Sequence, residues 1–230
     1  MRNKKAKKIE KAFSIAFWLA IPSYFFLGAV CFIALLVLFD KHLFTQEICA
    51  AFAFGFVTSV AVLGGSRLAW LRTLVHELKH GIAVVFYGGS LKEFKVRSGE
   101  GHVEYEIDED QLHYVPLIGL APYCLPLLSA PILLLCVCLE MSYRLPLNFL
   151  LGAALGADIC MSYGELDPRR TDFKKITGGF FMAALFISGV LFFWLSACLL
   201  WVFAGRMGFV YAGYVALRII RLSALYFGLG

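Results

Sequence analysis

His76, Glu77 and His80, in the run His76-Glu77-Leu78-Lys79-His80, are the residues of this chain whose spacing can do chemistry. Histidines four apart on a helix project from one face and can reach one metal ion, and the glutamate beside the first is close enough to activate a bound water. H-E-x-x-H is the spacing of a zinc hydrolase. Catalytic zinc takes three protein ligands and keeps a fourth position for water, so another ligand must come from outside the motif. His42, His102 and His113 fall in polar segments expected at a surface. Asp158 is embedded in an apolar stretch, and Asp172 opens a long apolar run after a proline-broken loop. Either carboxylate would complete a set of two imidazoles and one oxygen.

The elements that must position these residues are membrane-like. Of 230 residues, 60% are hydrophobic and only 16% charged, and the mean hydropathy is +0.78, far more apolar than a soluble domain requires. The uncharged stretches 12–39, 48–66, 114–139 and 176–205 approach or exceed the roughly 20 residues needed to cross a bilayer. The first follows a basic tail over residues 1–11 and is too long for a cleaved signal segment, so it reads as an uncleaved span with a cytosolic N-terminus. That tail accounts for the formal charge of +5 without a nucleic-acid partner. The seven cysteines lie almost entirely in apolar stretches and form no C-x-x-C pair, so neither a disulfide framework nor a cysteine zinc site is indicated.

The chain reads as one membrane-embedded domain over residues 1–230, without repeats. A short polar loop, Asp40 to Glu47, precedes an apolar segment to Leu63, and Gly64-Gly65-Ser66-Arg67 interrupts it. A helix from Leu68 to Tyr87 carries the motif, closed by Gly88-Gly89. His76 stands about 13 Å along that helix from Arg67, within the bilayer's depth but nearer one face. Residues 90–113 are polar, with Phe94 and Val96, then Val103, Tyr105 and Ile107, alternating with charged residues around Arg97-Ser98-Gly99-Glu100-Gly101. Such alternation predicts a β-hairpin, whose free edge could take an extended substrate as a further strand. Pro116, Pro122, Pro126 and Pro131 then break the next apolar stretch. Gly152 and Gly156 have the G-x-x-x-G spacing of close helix packing. Arg218 and Arg221 interrupt the last apolar segment, where they would snorkel to an interface.

Val75-His76-Glu77-Leu78-Lys79-His80-Gly81, followed by Phe86-Tyr87-Gly88-Gly89 and the expected hairpin, resembles the site-2 protease family of intramembrane zinc metallopeptidases. The resemblance runs from about Leu68 to Gly205. It implies a zinc ligand at Asp172, where an aspartate follows the proline-containing loop at Pro168, and so favours Asp172 over Asp158. Two positions depart from the family pattern: Phe173 stands where glycine usually follows the aspartate, and Lys79 where a small residue is usual. The implied activity is hydrolysis of a peptide bond in or near a transmembrane segment, with His76, His80 and Asp172 holding Zn²⁺ and Glu77 as general base.

The fold expected is an α-helical polytopic membrane protein of about five to six transmembrane helices, one of them broken or re-entrant. The broken segment is a requirement. If every apolar stretch crossed, Asp172 would emerge on the side opposite the start of the motif helix, and the proline-broken stretch from Pro116 to Pro131 is the first choice for the one that does not. Expected partners are the lipid bilayer and a membrane protein substrate, and the expected location is a bacterial inner membrane. Rival readings are a catalytically inactive scaffold or chaperone of the same fold, and a transporter using intramembrane carboxylates such as Asp158. Membrane di-iron chemistry is disfavoured by a total of only five histidines.

Overall fold

The computed structural model describes residues 2–39, 45–64, 68–97, 100–139, 144–174 and 176–226. Most of the expected loop Asp40–Glu47, with His42, lies outside the described residues, as do Gly65, Ser66, Arg67 and the Ser98-Gly99 turn.

Long uncharged runs give long helices, because a chain without water to hydrogen-bond its backbone must satisfy it internally. Helix α1 spans Arg2–Phe39, α2 Gln46–Leu63, α3 Ala69–Phe86, α4 Val115–Cys124, α5 Ser129–Cys138, α6 Arg144–Tyr163, α7 Thr171–Lys174 and α8 Gly179–Tyr226. Among the described residues four helices are long and apolar enough to cross a membrane: α1 from Phe17, α2, α6 and α8. A fifth candidate is the pair formed by Gln111–Cys124 and Ser129–Cys138, bent by 77° in the proline-broken stretch. Trp18, Phe54, Val62 and Phe181 are more than half exposed, as lipid-facing side chains would be.

Helix α8 is 48 residues long, about 72 Å at about 1.5 Å per residue, over twice a bilayer's hydrocarbon thickness. It is divided at Gly205, whose φ of 58° and ψ of −142° only glycine adopts readily. Beyond that point the chain folds back: Gly208 packs on Leu200, and the Phe209 ring stacks on Trp201 at 6.4 Å. The tightest seam joins α2 to α6. A β-carbon on Gly55 would strike the Phe149 carbonyl, one on Gly152 the Phe52 carbonyl, and one on Gly156 would lie 2.8 Å from the Phe56 carbonyl oxygen. The G-x-x-x-G pair therefore serves backbone-to-backbone packing, and Gly55 is its counterpart on α2.

Side chains from neighbouring helices satisfy the helix ends. Arg72, in the first turn of α3, donates to the carbonyls of Leu63 at 3.0 Å and Gly64 at 3.3 Å, closing α2. Its guanidinium also lies against Gly164, just past α6. One end of the bundle thus gathers the finish of α2, the start of α3 and the finish of α6. At the other end Arg206 donates to the carbonyls of Val137 at 2.8 Å and Cys138 at 3.4 Å, closing α5.

After α3, Gly88 takes a φ of 79° and Gly89 N donates to the Val84 carbonyl at 2.8 Å, a glycine C-terminal turn. Strands β1 (Ser90–Arg97) and β2 (Glu100–Glu106) form a two-stranded antiparallel sheet. Phe94 pairs with Val103 and Val96 with Gly101, with a register shift between Leu91 and Glu93. A short 3₁₀ helix, Glu109–Tyr114, leads into α4. Ala83 and Val84 of α3 bury against Ile118 and Ala121 of α4. The two helices are antiparallel, because His80 meets Ile118, Lys79 meets Pro122 and His76 meets Tyr123 in reverse order.

Candidate metal centre

His76 and His80 lie one turn apart on one face of α3, with ring centroids 4.9 Å apart. Asp172 approaches that face from α7, its Oδ2 atom 3.8 Å from His76 Nε2 and 4.0 Å from His80 Nε2. One potential ligand atom from each of the three falls within 4.8 Å of the others, the one such group found among the described residues. Ligand atoms on a tetrahedral zinc with bonds of about 2.1 Å sit roughly 3.4 Å apart. The triad is thus wider than a closed zinc site by a few tenths of an ångström to about 1.4 Å, and its donor types fit the ion.

Two of the three candidate ligands are hydrogen-bonded from behind. His80 Nδ1 lies 2.9 Å from the Ile118 carbonyl oxygen. A carbonyl only accepts, so Nδ1 carries the hydrogen and Nε2 keeps its lone pair toward the cluster. The Tyr123 hydroxyl donates to Asp172 Oδ2 at 3.1 Å, and its ring meets His76 edge-on at 5.4 Å. Asp172 lies outside the long apolar helices. Burial pushes its carboxyl up, but the adjoining imidazoles and the Tyr123 hydroxyl outweigh this and hold it below the ordinary aspartate value. It is therefore an anion at neutral pH.

The loop before α7 is wound by its own polar groups: Arg169 N donates to Asp167 Oδ1 at 2.9 Å and Arg170 N to the Asp167 carbonyl at 3.0 Å, while Arg170 pairs with Glu165. Phe173 then anchors the helix. It is 1% exposed and its ring lies 4.8 Å from that of Tyr123, so it is a packing residue beside the cluster.

The three residues and Glu77 open into one cavity of about 510 Å³. Its wall includes Gly101 and His102 of β2, Pro116 and Gly119 of α4, and Arg169 and Arg170. Gly101 meets Glu77 directly, for a β-carbon there would collide with the Glu77 Cγ and Oε1 atoms. His102 shares the cavity with the motif, although its polar sequence neighbourhood placed it at a surface. Sequence reasoning also missed Tyr123, whose only signal was a polar tip in an apolar stretch, and the Ile118 carbonyl, which has no sequence signal.

Asp158 is occupied otherwise. Its carboxylate accepts from Leu128 N at 3.1 Å, Ser129 N at 2.8 Å and Ser129 Oγ at 2.6 Å, serving the unpaired amides at the start of α5. Lys79, 1% exposed, turns away from the ligand face toward Asp158, with Nζ 3.8 Å from Oδ1. The two aspartates weighed from sequence thus do different work: Asp172 joins the histidines and Asp158 does not.

No family model, no curated protein and no solved structure matches this chain.

Proposed function

We propose that this chain is an intramembrane zinc metallopeptidase, a divergent relative of the site-2 proteases, that hydrolyses a peptide bond in or near a transmembrane segment of a membrane protein. The observation that carries this reading is the convergence of His76, His80 and Asp172 within 4.8 Å, in a cavity that Glu77 also lines. Zn²⁺ bound there would polarise the scissile carbonyl and acidify a water. Glu77 accepts the proton of the attacking water and returns it to the leaving amine. The Ile118 carbonyl keeps His80 in its ligating tautomer, and Tyr123 fixes one oxygen of Asp172. A helical substrate must unwind before a carbonyl can reach the cavity, and the sheet whose β2 residues form part of its wall supplies an edge for the unwound segment.

The topology supports the same reading. Helix α4 runs back along α3 and α5 leaves at an angle, so the stretch from α3 to α5 makes one net passage. Helix α6 then returns the chain to the end where α3 begins, beside Arg72, and Asp172 follows. We place that end, which also holds Arg169 and Arg170, in the cytosol by the positive-inside rule, with the N-terminus there and the bilayer that of a bacterial inner membrane.

The test uses purified wild type and Glu77→Ala in lipid vesicles containing single-span reporter proteins with helix-weakening residues in the span. Wild type is expected to hold one zinc and cleave, and Glu77→Ala to hold zinc and not cleave. Wild type without zinc would overturn the metal reading. Wild type with zinc but no turnover would make the chain an inactive scaffold.

A further inference from the structure

The other face of α3 carries a second polar cluster, sealed from the cavity. Lys79 Nζ lies 3.0 Å from Ser162 Oγ of α6, 3.4 Å from the Pro122 carbonyl oxygen of α4 and 3.8 Å from Asp158. Ser162 Oγ also donates to the Pro122 carbonyl at 3.1 Å. Asp158 holds the first amides of α5, and Ser129 Oγ, which donates to Asp158, accepts from Trp194 Nε1 of α8 at 2.8 Å. Five helices meet on one ammonium and one carboxylate.

An unpaired charge at such depth costs several kcal/mol, so the pair persists only where both partners are held in place. What they hold is the break between α4 and α5. Pro122, gripped through its carbonyl, directly precedes Tyr123, whose hydroxyl meets Asp172. The path from Lys79 to the third ligand thus runs through two adjacent residues of α4.

We infer that Lys79 and Asp158 are positioning residues of the metal centre: their pairing fixes the α4–α5 break and so the Tyr123 hydroxyl on Asp172. This rests on the metal reading above and gives Lys79, at the second departure from the family pattern, a role. Neither residue lines the cavity.

The test is a double-mutant cycle on the full chain in detergent, with Lys79→Met, Asp158→Asn and the pair combined. Asparagine keeps a side-chain oxygen for the α5 amides, and the double variant leaves no uncompensated charge. Two quantities are read: Co²⁺ affinity with its visible absorption spectrum, and the thermal midpoint without metal. Each single variant is expected to weaken Co²⁺ binding about tenfold or more, the size of effect seen for residues behind a metal ligand, and to change the spectrum. The double variant is expected to recover most of the thermal midpoint while its Co²⁺ spectrum remains altered, because Pro122 has lost its ammonium partner.

Single variants with wild-type Co²⁺ affinity and spectrum would overturn the inference, whatever their thermal midpoints. So would a double variant whose spectrum returns fully with its midpoint, since the pair would then serve stability alone. Wild type that binds no Co²⁺ would overturn the metal reading itself, an outcome distinct from both.

Discussion

The two faces of α3 present the same problem with opposite solutions. Each gathers buried or half-buried ionisable groups about one helix: His76 and His80 with Asp172 on one side, Lys79 with Asp158 on the other. The first cluster has only partial internal pairing. Its imidazole and carboxylate atoms stand 3.8 to 4.0 Å apart, too far for hydrogen bonds, and they face a cavity of about 510 Å³. Lys79 and Asp158 also stand 3.8 Å apart, but hydrogen bonds of 2.6 to 3.4 Å to Ser129, Ser162 and the Pro122 carbonyl fill the space around them. Burial alone therefore does not mark a reactive carboxylate. Groups held apart around an open space are the ones positioned to share an ion.

The sharpest break in this comparison should come from Glu77. Its replacement by alanine removes the only carboxylate, among the described residues, that lines the cavity and is not a candidate ligand, with an expected loss of about 10²- to 10⁴-fold in cleavage rate and no loss of zinc by elemental analysis. The two aspartates should then separate. Asp172→Ala is expected to abolish stoichiometric zinc, whereas Asp158→Ala keeps a weakened site but lowers unfolding free energy by about 3–5 kcal/mol, because Lys79 is left buried without its counter-charge. Zinc lost from Asp158→Ala and retained in Asp172→Ala would reverse the assignment of the two faces.

A smaller effect is expected from the scaffold. In Gly152→Ala the added methyl meets the Phe52 carbonyl, a backbone atom that no side-chain rotation can move aside. The expected cost is about 1–3 kcal/mol in thermal or denaturant unfolding, with zinc stoichiometry unchanged. The mildest change is Tyr123→Phe, which removes one hydrogen bond to Asp172. Zinc affinity should fall by about tenfold, measured by competition with a chelator, while the fold survives because the ring keeps its packing against Phe173.

How much of this was legible beforehand follows from where the information lies. His76, Glu77 and His80 could be read because helical periodicity is local: residues four apart share a face whatever the tertiary structure. The glycine spacing of α6 was legible for the same reason. Asp172 was not local. It lies far along the chain from the motif, and from the residues alone burial favoured Asp158, since a buried carboxylate has the same sequence appearance whether it faces a metal or caps a helix. Only the family resemblance favoured it. Topology supplied one non-local inference: the demand that Asp172 lie near the start of the motif helix required a broken segment, and the chain bends by 77° within the stretch containing Pro122 and Pro126. Tyr123, the Ile118 carbonyl and the partners of Lys79 depend on which residues of α4 and α6 face α3, and runs apolar on every side carry no phase from which to read that.

The glycine seam between α2 and α6 has a mechanical consequence as well. Side-chain packing lets helices slip slightly as rotamers adjust, but carbonyls seated where β-carbons would be leave no such play. Asp158 lies two residues beyond Gly156, so the seam sets the axial register of the carboxylate against α2, whose end Arg72 ties to the motif helix. A slip of one residue is about 1.5 Å, enough to turn a close ion pair into a separated one. Two helices far from the cavity thus act as its ruler, and the height at which α6 delivers the chain toward Asp172 is decided by the absence of three methyl groups.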